Sequence, residues 1–290
     1  MVSTSDPVPL PAGRPVLLPG RGQTFVREAE GPAGAPTLLL LHGWTVTADL
    51  NWFACYAPLA ERFHVVALDH RGHGKGIRSR RPFRLEDCAD DAAALAAELG
   101  IERLIPVGYS MGGPVAQLLW RRHPDLVGGM VLSATACSFA TADARSRVYF
   151  SALLGLSVAA RFTPPHVRQQ VADTLIRRRL QGAELADWGK SEMARSDATA
   201  VLEAGWAIGR FDSSGWIGEA DVPCSVIVTG LDQVVDPRRQ RALAAAIPGA
   251  GVIEVEGDHG ACVTDAARFV PALLDACTDV AARARLAALE

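Results

Sequence analysis

The sequence predicts an α/β fold: a mostly parallel, twisted central sheet of about eight strands, flanked by helices and carrying a helical cap insertion. Two observations predict the sheet. Short apolar runs alternate with longer helical patterns along the 290 residues, and the clearest runs are apolar throughout, as in strands buried on both faces. A third observation predicts the insertion, because residues 138–218 show helical patterns and no strong strand. A structureless loop of that length is uncommon in a compact domain.

The predicted strands follow the chain in order. Two weaker runs, "RPVLLPG" and "GQTFVREAEG", predict an antiparallel start to the sheet. The stronger runs predict parallel strands at 37–42, 64–69, 103–108, 129–134, 225–230 and 251–257.

Alanine-rich stretches with helical periodicity separate these strands. They predict helices at 85–100, 112–124, 237–249 and 264–290. We therefore expect a core formed by residues 16–137 and 219–290, with residues 138–218 as the cap. The prolines near the start predict a flexible leader over residues 1–15.

Composition excludes several classes of protein. The formal net charge of −3 lacks the basic excess that binding to nucleic acid or to an anionic membrane would need. The six cysteines include no CxxC pair, so we expect reduced, mostly buried thiols. We also expect no metal site and no cofactor. No run reaches the roughly 18 apolar residues of a membrane span, and no secretory signal is evident. We expect a cytoplasmic protein that is a monomer or a weak homodimer.

The stretch "GYSMG", residues 108–112, fits the motif G-x-S-x-G. A predicted strand precedes it and a predicted helix follows, so Ser110 would stand on a sharp turn with its hydroxyl exposed. The alternative is a glycine-rich turn with a solvated serine. The strand–turn–helix context favours a nucleophile.

A serine nucleophile needs a base, and seven histidines are candidates. His259 follows the last predicted strand, at the sheet edge expected for Ser110. His166, in the insertion, is a weaker alternative. The contexts of His64 and His123 indicate structural roles, and those of His70 and His73 indicate structural residues or the rim of a pocket. His42 ends a predicted strand.

The orienting acid is expected between the serine and the histidine in chain order. Asp232 comes just after the predicted strand that ends at Gly230. Asp236 precedes Pro237, the pattern of a helix N-cap, so it has a competing structural role. We expect Asp232 to be the acid and keep Asp236 as the alternative.

Backbone N–H groups of Trp44 and Met111 are the candidate oxyanion donors, since one follows an early strand and the other follows Ser110. Four further residues beside strand ends are candidate substrate-binding positions: Gly43, Trp52, Tyr109 and Cys137. Core packing is an equally good interpretation for Cys137.

Five short sequence motifs, in this order along the chain, are shared with a known family: "LLHGW", "DHRGHG", "VGYSMGG", "TGLDQVVDP" and "GDHGACV". The chain resembles the α/β-hydrolase fold superfamily, and within it an actinobacterial branch. The resemblance implies a Ser110–His259–Asp232 triad, an oxyanion hole from the Trp44 and Met111 amides, and a cap near 138–218. Serine at position 110 distinguishes it from dehalogenases and epoxide hydrolases that use an aspartate nucleophile.

We expect a serine hydrolase that cleaves a small hydrophobic carboxylic ester through an acyl-enzyme. Lactone, thioester or C–C bond hydrolysis and cofactor-free perhydrolysis are alternatives on the same residues, because one fold serves many reactions. A non-enzymatic ligand receptor is disfavoured, since all three triad members are present.

Overall fold

The structure is a computed structural model that describes residues 8–139, 144–163 and 186–287. The first part of the predicted leader, part of the predicted cap and His166 lie outside the described residues. Gly13, Arg14 and Pro15, at the end of the predicted leader, belong to the first strand. Their backbone pairs with the second strand, and Val16 and Leu18 anchor the pair with alternating burial.

Eight strands form one sheet in the spatial order β1-β2-β4-β3-β5-β6-β7-β8. They are β1 (Gly13–Leu18), β2 (Gly22–Ala29), β3 (Thr37–Leu41), β4 (His64–Leu68), β5 (Leu104–Tyr109), β6 (Met130–Ser133), β7 (Cys224–Thr229) and β8 (Gly251–Val255). β1 and β2 are antiparallel, β2 pairs antiparallel with β4, and the pairs from β4 onward are parallel. The predicted fold class is confirmed.

Helices cover both faces of the sheet. In the described residues they are α1 (Ala48–Trp52), α2 (Tyr56–Ala60), α3 (Leu85–Glu98), α4 (Gly112–Arg122), α5 (Ala144–Phe162), α6 (Ala186–Ala194), α7 (Ala198–Arg210), α8 (Pro237–Ala246), α9 (Ala261–Thr264) and α10 (Ala266–Ala287). Within that part of the chain, no helix is both long and apolar enough to cross a membrane.

The core has two layers, one on each side of the sheet. Leu39 and Leu41 of β3 face the layer formed with α3, α4 and α8. Leu38 and Leu40 face the layer formed with α1, α2 and α10. Side chains alternate between the faces of a strand, so a strand covered on both faces is apolar at every position.

The segment between β6 and β7 contains α5, α6 and α7, as expected for a helical insertion. An antiparallel bridge between Ser138 and Asp212 joins its two ends. α7 also packs on the core, since Ala204 and Ile208 join the layer of α3 and α4.

The parallel strands determine where the functional side chains meet. β5, β7 and β8 point the same way, so their carboxyl ends lie at one edge of the sheet. Ser110 directly follows β5, Asp232 follows β7, and His259 follows β8. Ligands of open α/β sheets bind at this edge.

Candidate active site

Ser110 lies on a sharp turn between β5 and α4, with φ of 52°. A non-glycine residue rarely adopts this left-handed conformation, and it persists only where the surroundings enforce it. Three hydrogen bonds do so here. The Ser110 N–H donates to Ser133 O at 2.9 Å, and Ser110 O accepts from Thr135 Oγ1 and from the Gly113 N–H, both at 2.9 Å.

The flanking glycines are required by close backbone contacts. A Cβ on Gly108 would collide with the backbone of Gly112, and one on Gly112 would collide with the carbonyl group of Leu41. Glycine therefore permits the β5–α4 turn to approach β3 closely.

His259 lies between Ser110 and Asp232. Its Nε2 is 3.0 Å from Ser110 Oγ, and its Nδ1 is 2.7 Å from Asp232 Oδ2. The Asp232 side chain is fully buried, whereas 23% of the His259 side chain is exposed. An ionised carboxylate accepts hydrogen bonds only, so Nδ1 carries the proton in the neutral imidazole and Nε2 is free to accept the serine proton.

Asp232 is held by bonds to its own loop, to the end of β7 and to Gln240 of α8. Oδ1 accepts from the N–H groups of Val234 and Val235, at 2.8 and 2.9 Å, and Oδ2 accepts from Thr229 Oγ1 at 2.8 Å. Burial by itself would raise the pKa of Asp232, but the hydrogen bond and charge of His259, with these other donors, hold the pKa below its ordinary value. The carboxylate is therefore ionised opposite His259.

The alternative acid, Asp236, has the structural role that its sequence context indicates. Its carboxylate accepts from the Arg238 N–H at 2.8 Å and caps the N-terminus of α8. The structure thus brings Asp232, and not Asp236, to the imidazole of His259.

The two candidate oxyanion donors have free N–H groups. Within the part of the chain that the structure describes, the N–H groups of Trp44 and Met111 donate no hydrogen bond. Gly43 lies directly against the serine, because a Cβ on Gly43 would be 3.4 Å from Ser110 Cβ. Backbone N–H groups bind an oxyanion when they point at it, so both stay candidate donors.

Two residues that sequence reasoning did not assign to the site hold the loop after β3. Asn51 Oδ1 accepts from the Gly43 N–H at 2.9 Å. His42 Nε2 accepts from the His70 N–H at 2.9 Å, so Nδ1 is protonated and donates to Gly43 O at 2.8 Å. The Gly43–Trp44 peptide is therefore fixed through its carbonyl oxygen. The only sequence signal was the position of His42 at a strand end.

The structure places two predicted pocket residues behind the site. Trp52 has no exposed surface, and Tyr109 is 3% exposed. Their rings lie edge to face, and the Tyr109 hydroxyl donates to His259 O at 2.9 Å. Cys137 is half-buried, and its carbonyl oxygen accepts from the Ser213 N–H at 2.9 Å. Trp52 and Tyr109 thus pack in the core behind the site, and their role in substrate binding stays a prediction.

Most of the remaining histidines have structural partners. His64 Nε2 lies 3.0 Å from Glu28 Oε1, and His123 Nε2 lies 2.9 Å from Asp90 Oδ1. His42, His70 and His73 form a buried cluster.

A cavity of about 550 Å³ opens between the loop after β4 and α7. Its lining includes Arg71, Phe83 and Glu203 and none of the residues of the candidate site. Among the described residues, no group of three or more side chains could hold a metal ion.

Comparison with known proteins identifies the family of this chain. The family model of the alpha/beta hydrolase fold matches residues 36–266. A bifunctional esterase/perhydrolase of Acinetobacter calcoaceticus is 36% identical over 96 residues, which cover 33% of this chain and 34% of that protein. A pimeloyl-(acyl-carrier protein) methyl ester esterase of Neisseria meningitidis is 28% identical over 232 residues, which cover 78% of this chain and 86% of that protein.

The fold is also found in solved structures. The enol-lactonase from Burkholderia xenovorans LB400 superposes with a TM-score of 0.73 at 24% identity, covering 91% of this chain and all of that one. Five curated relatives share only one region with this chain, since the matches span 28% to 34% of their own lengths.

Proposed function

The chain belongs to the alpha/beta hydrolase fold family, and within it we propose a serine hydrolase that cleaves small hydrophobic carboxylic esters through an acyl-enzyme. One observation carries the proposal: the imidazole of His259 lies within hydrogen-bond distance of both Ser110 Oγ and Asp232 Oδ2. A serine, a base and an orienting acid in this geometry are what nucleophilic acyl transfer requires.

In the first half-reaction, Ser110 Oγ attacks the ester carbonyl carbon while His259 Nε2 takes the serine proton. The negative charge that develops on the carbonyl oxygen is stabilised by the N–H groups of Trp44 and Met111. The tetrahedral intermediate then collapses, and the C–O bond to the alcohol breaks. His259 gives its proton to the departing alkoxide, which leaves the acyl group on Ser110.

In the second half-reaction, a water molecule attacks the acyl carbonyl and His259 accepts the water proton. The intermediate collapses to release the carboxylic acid, and the proton returns to Ser110 Oγ. Asp232 holds the Nδ1–H tautomer throughout and stabilises the imidazolium. Each oxyanion donor in such a site contributes roughly a hundred- to thousandfold to the rate.

Relatives support an ester as the first substrate to try. The Neisseria relative, aligned over 78% of this chain, is named an esterase, and the Acinetobacter relative is named both esterase and perhydrolase. Perhydrolysis on the same residues, in which hydrogen peroxide replaces the water that attacks the acyl-enzyme, is therefore the second candidate. Lactone, thioester and C–C bond hydrolysis stay as alternative reactions. A cytoplasmic location, a monomeric or weakly dimeric state and membership of the actinobacterial branch stay predictions.

The test is hydrolysis of short p-nitrophenyl esters by the wild-type chain and by Ser110→Ala. We expect activity in the wild type and its loss in Ser110→Ala. Ser214→Ala, which alters an exposed serine in the turn after α7, is the matched control and should keep full activity. Undiminished hydrolysis by Ser110→Ala would overturn the proposal. A panel of esters, lactones, thioesters and vinylogous diketones, with peracid formation as a further readout, then separates the reactions.

A further inference from the structure

The side chain of Trp44 connects the candidate oxyanion loop to the insertion. Its indole Nε1–H donates to Val201 O at 2.7 Å, across 157 residues of sequence. Val201 lies inside α7, and a carbonyl oxygen has two lone pairs, so it can accept from the indole as well as from its own helix. The mechanism above assigns a role to the backbone N–H of Trp44 and none to this side chain.

The ring of Trp44 packs against α7 at Gly205, where the helix has no side chain. Gly205 lies four residues after Val201, on the same face of the helix. A Cβ on Gly205 would be 2.5 Å from Trp44 Cζ2 and 2.5 Å from Leu153 Cδ1. Glycine inside a helix is destabilising relative to alanine. Here the close approach of the indole requires it.

α7 is itself fixed to the core on both sides of Val201. Before it, the N–H of Asp197 donates to Gly72 O at 2.8 Å. After it, Glu203 Oε2 accepts from the Phe83 N–H at 2.8 Å. The carbonyl of Val201 is therefore a stationary acceptor for the indole.

The loop that carries the Trp44 N–H is held at two ends. His42 and Asn51 fix Gly43, as described above. The next residue, Thr45, has φ of 70°, a left-handed conformation that is rare for threonine and needs support from its surroundings. The bond from the Trp44 indole to Val201 holds the chain next to Thr45, on the far side of Trp44 from Gly43.

We propose that the indole of Trp44, seated on Gly205 and bonded to Val201, is a positioning group that orients the Trp44 backbone N–H toward the oxyanion. The inference rests on the proposed hydrolase function. It assigns α7 a role in transition-state stabilisation, beyond covering the site. Small errors in the placement of a preorganised donor have large effects on rate, because the donor acts only when it is aligned with the developing charge.

The first test is Trp44→Phe, which keeps the backbone N–H and an aromatic ring but removes the indole N–H. We expect kcat on a p-nitrophenyl ester to fall about tenfold, while KM changes less than about twofold, because the effect is confined to the transition state. Trp120→Phe is the matched control: it removes a buried indole N–H that donates to Asp221 Oδ1 at 3.0 Å, away from the site. It should keep wild-type kcat.

The second test is inhibition by phenylboronic acid, whose tetrahedral adduct on a serine carries a hydroxyl group where the oxyanion would lie. In Trp44→Phe the inhibition constant should rise by about the same factor as kcat/KM falls. A merely structural role would lower the melting temperature without this parallel.

The third test leaves Trp44 unchanged and alters Gly205, the residue against which its ring packs. Gly205→Ala should raise the boronic acid inhibition constant as Trp44→Phe does, because the added methyl group displaces the indole. Gly155→Ala on α5 is its control, since a Cβ there meets nothing within 4 Å. If Trp44→Phe does not fold, this pair decides the question.

The outcomes separate the two proposals. If the wild type lacks ester hydrolysis, or if Ser110→Ala retains it, the hydrolase proposal fails. If the wild type is active and Ser110-dependent, but Trp44→Phe and Gly205→Ala match their controls in kcat and boronic acid affinity, the positioning role is overturned. A lower kcat with unchanged boronic acid affinity also overturns it.

Discussion

The hydroxyl of Tyr109 donates a 2.9 Å hydrogen bond to the carbonyl oxygen of His259. Tyr109 is the last residue of β5 and directly precedes Ser110, so this bond ties the strand of the serine to the loop of the histidine. The ring is fixed in turn by edge-on contacts with Trp52 and Phe269. Tyr109 therefore belongs to the frame that sets the distance between Ser110 and His259.

Tyr109→Phe should lower stability by about 1 kcal/mol and kcat about fivefold, because it removes one buried hydrogen bond and loosens the His259 loop. Tyr56→Phe is the matched control: the buried Tyr56 hydroxyl has no partner in the described residues. Its removal should leave activity unchanged and stability equal or slightly higher. Urea unfolding measures the stability of the two variants, and ester kinetics measure their kcat. Equal effects of the two substitutions would contradict the role of Tyr109.

Asp232→Asn should reduce kcat by about four orders of magnitude, because an amide in place of the carboxylate favours the wrong imidazole tautomer. Asp236→Asn should have little effect, since asparagine caps helices as well as aspartate does. Steady-state kinetics of the two variants, with circular dichroism to verify folding, test the assignment. A larger loss in Asp236→Asn would reverse it.

Gly108→Ala should destabilise the fold by about 1–3 kcal/mol, since its methyl group would overlap the backbone of Gly112 at the turn that holds Ser110. Gly215→Ala is the control, because a Cβ at Gly215 meets nothing within 4 Å. Thermal unfolding compares them. A melting temperature of Gly108→Ala equal to that of the control would contradict the close packing at the turn.

The histidine cluster predicts how stability depends on pH. The ring centroid of His42 lies 4.4 Å from that of His70 and 5.4 Å from that of His73. Burial lowers the pKa of His70 to about 3 and that of His73 to about 4, and it lowers the pKa of His42 well below the ordinary value. The three rings are neutral in the folded protein at pH 7.

As the pH falls below about 6.5, the unfolded chain protonates these histidines and the folded chain does not, so stability is lost by roughly 1.4 kcal/mol per pH unit for each histidine. Asp69 opposes this, because burial raises its pKa to about 6 and the folded state then gains stability as the pH falls through that value. Glu192, whose pKa is also raised by burial, acts in the same direction as Asp69. With three histidines against these two carboxyl groups, we expect the urea midpoint to fall between pH 7 and pH 5. His70→Leu should flatten this slope by about one proton. An unchanged slope in His70→Leu would contradict the prediction.

Most of the sheet and the positions of the three candidate catalytic residues could be predicted from the sequence, because the carboxyl ends of parallel strands lie at one edge of the sheet. The apolar runs located β3 to β8 within two residues, and strand ends then placed Ser110, Asp232 and His259 together. The Asp-Pro pattern separated the N-cap Asp236 from Asp232.

Other features have specific physical causes that the sequence pattern does not reveal. Tyr109 borders the serine in the sequence, but Val107 and Tyr109 share one face of β5 and both lie in the core. The predicted run "RPVLLPG" coincides with most of β1, but the leader predicted over residues 1–15 overlaps it, because Pro15 is tolerated in this edge strand. Asn51 and Val201 gave no local signal, since each acts on the loop after β3 through a contact that only the folded chain creates.

The adduct of a fluorophosphonate probe, located by mass spectrometry, shows whether Ser110 is the nucleophile. A nucleophilic serine displaces fluoride from the probe and retains the phosphonyl group. We expect one adduct, on the peptide containing Ser110, with no labelling of Ser110→Ala and full labelling of Ser214→Ala. An adduct on another residue of the wild type, or undiminished labelling of Ser110→Ala, would contradict it.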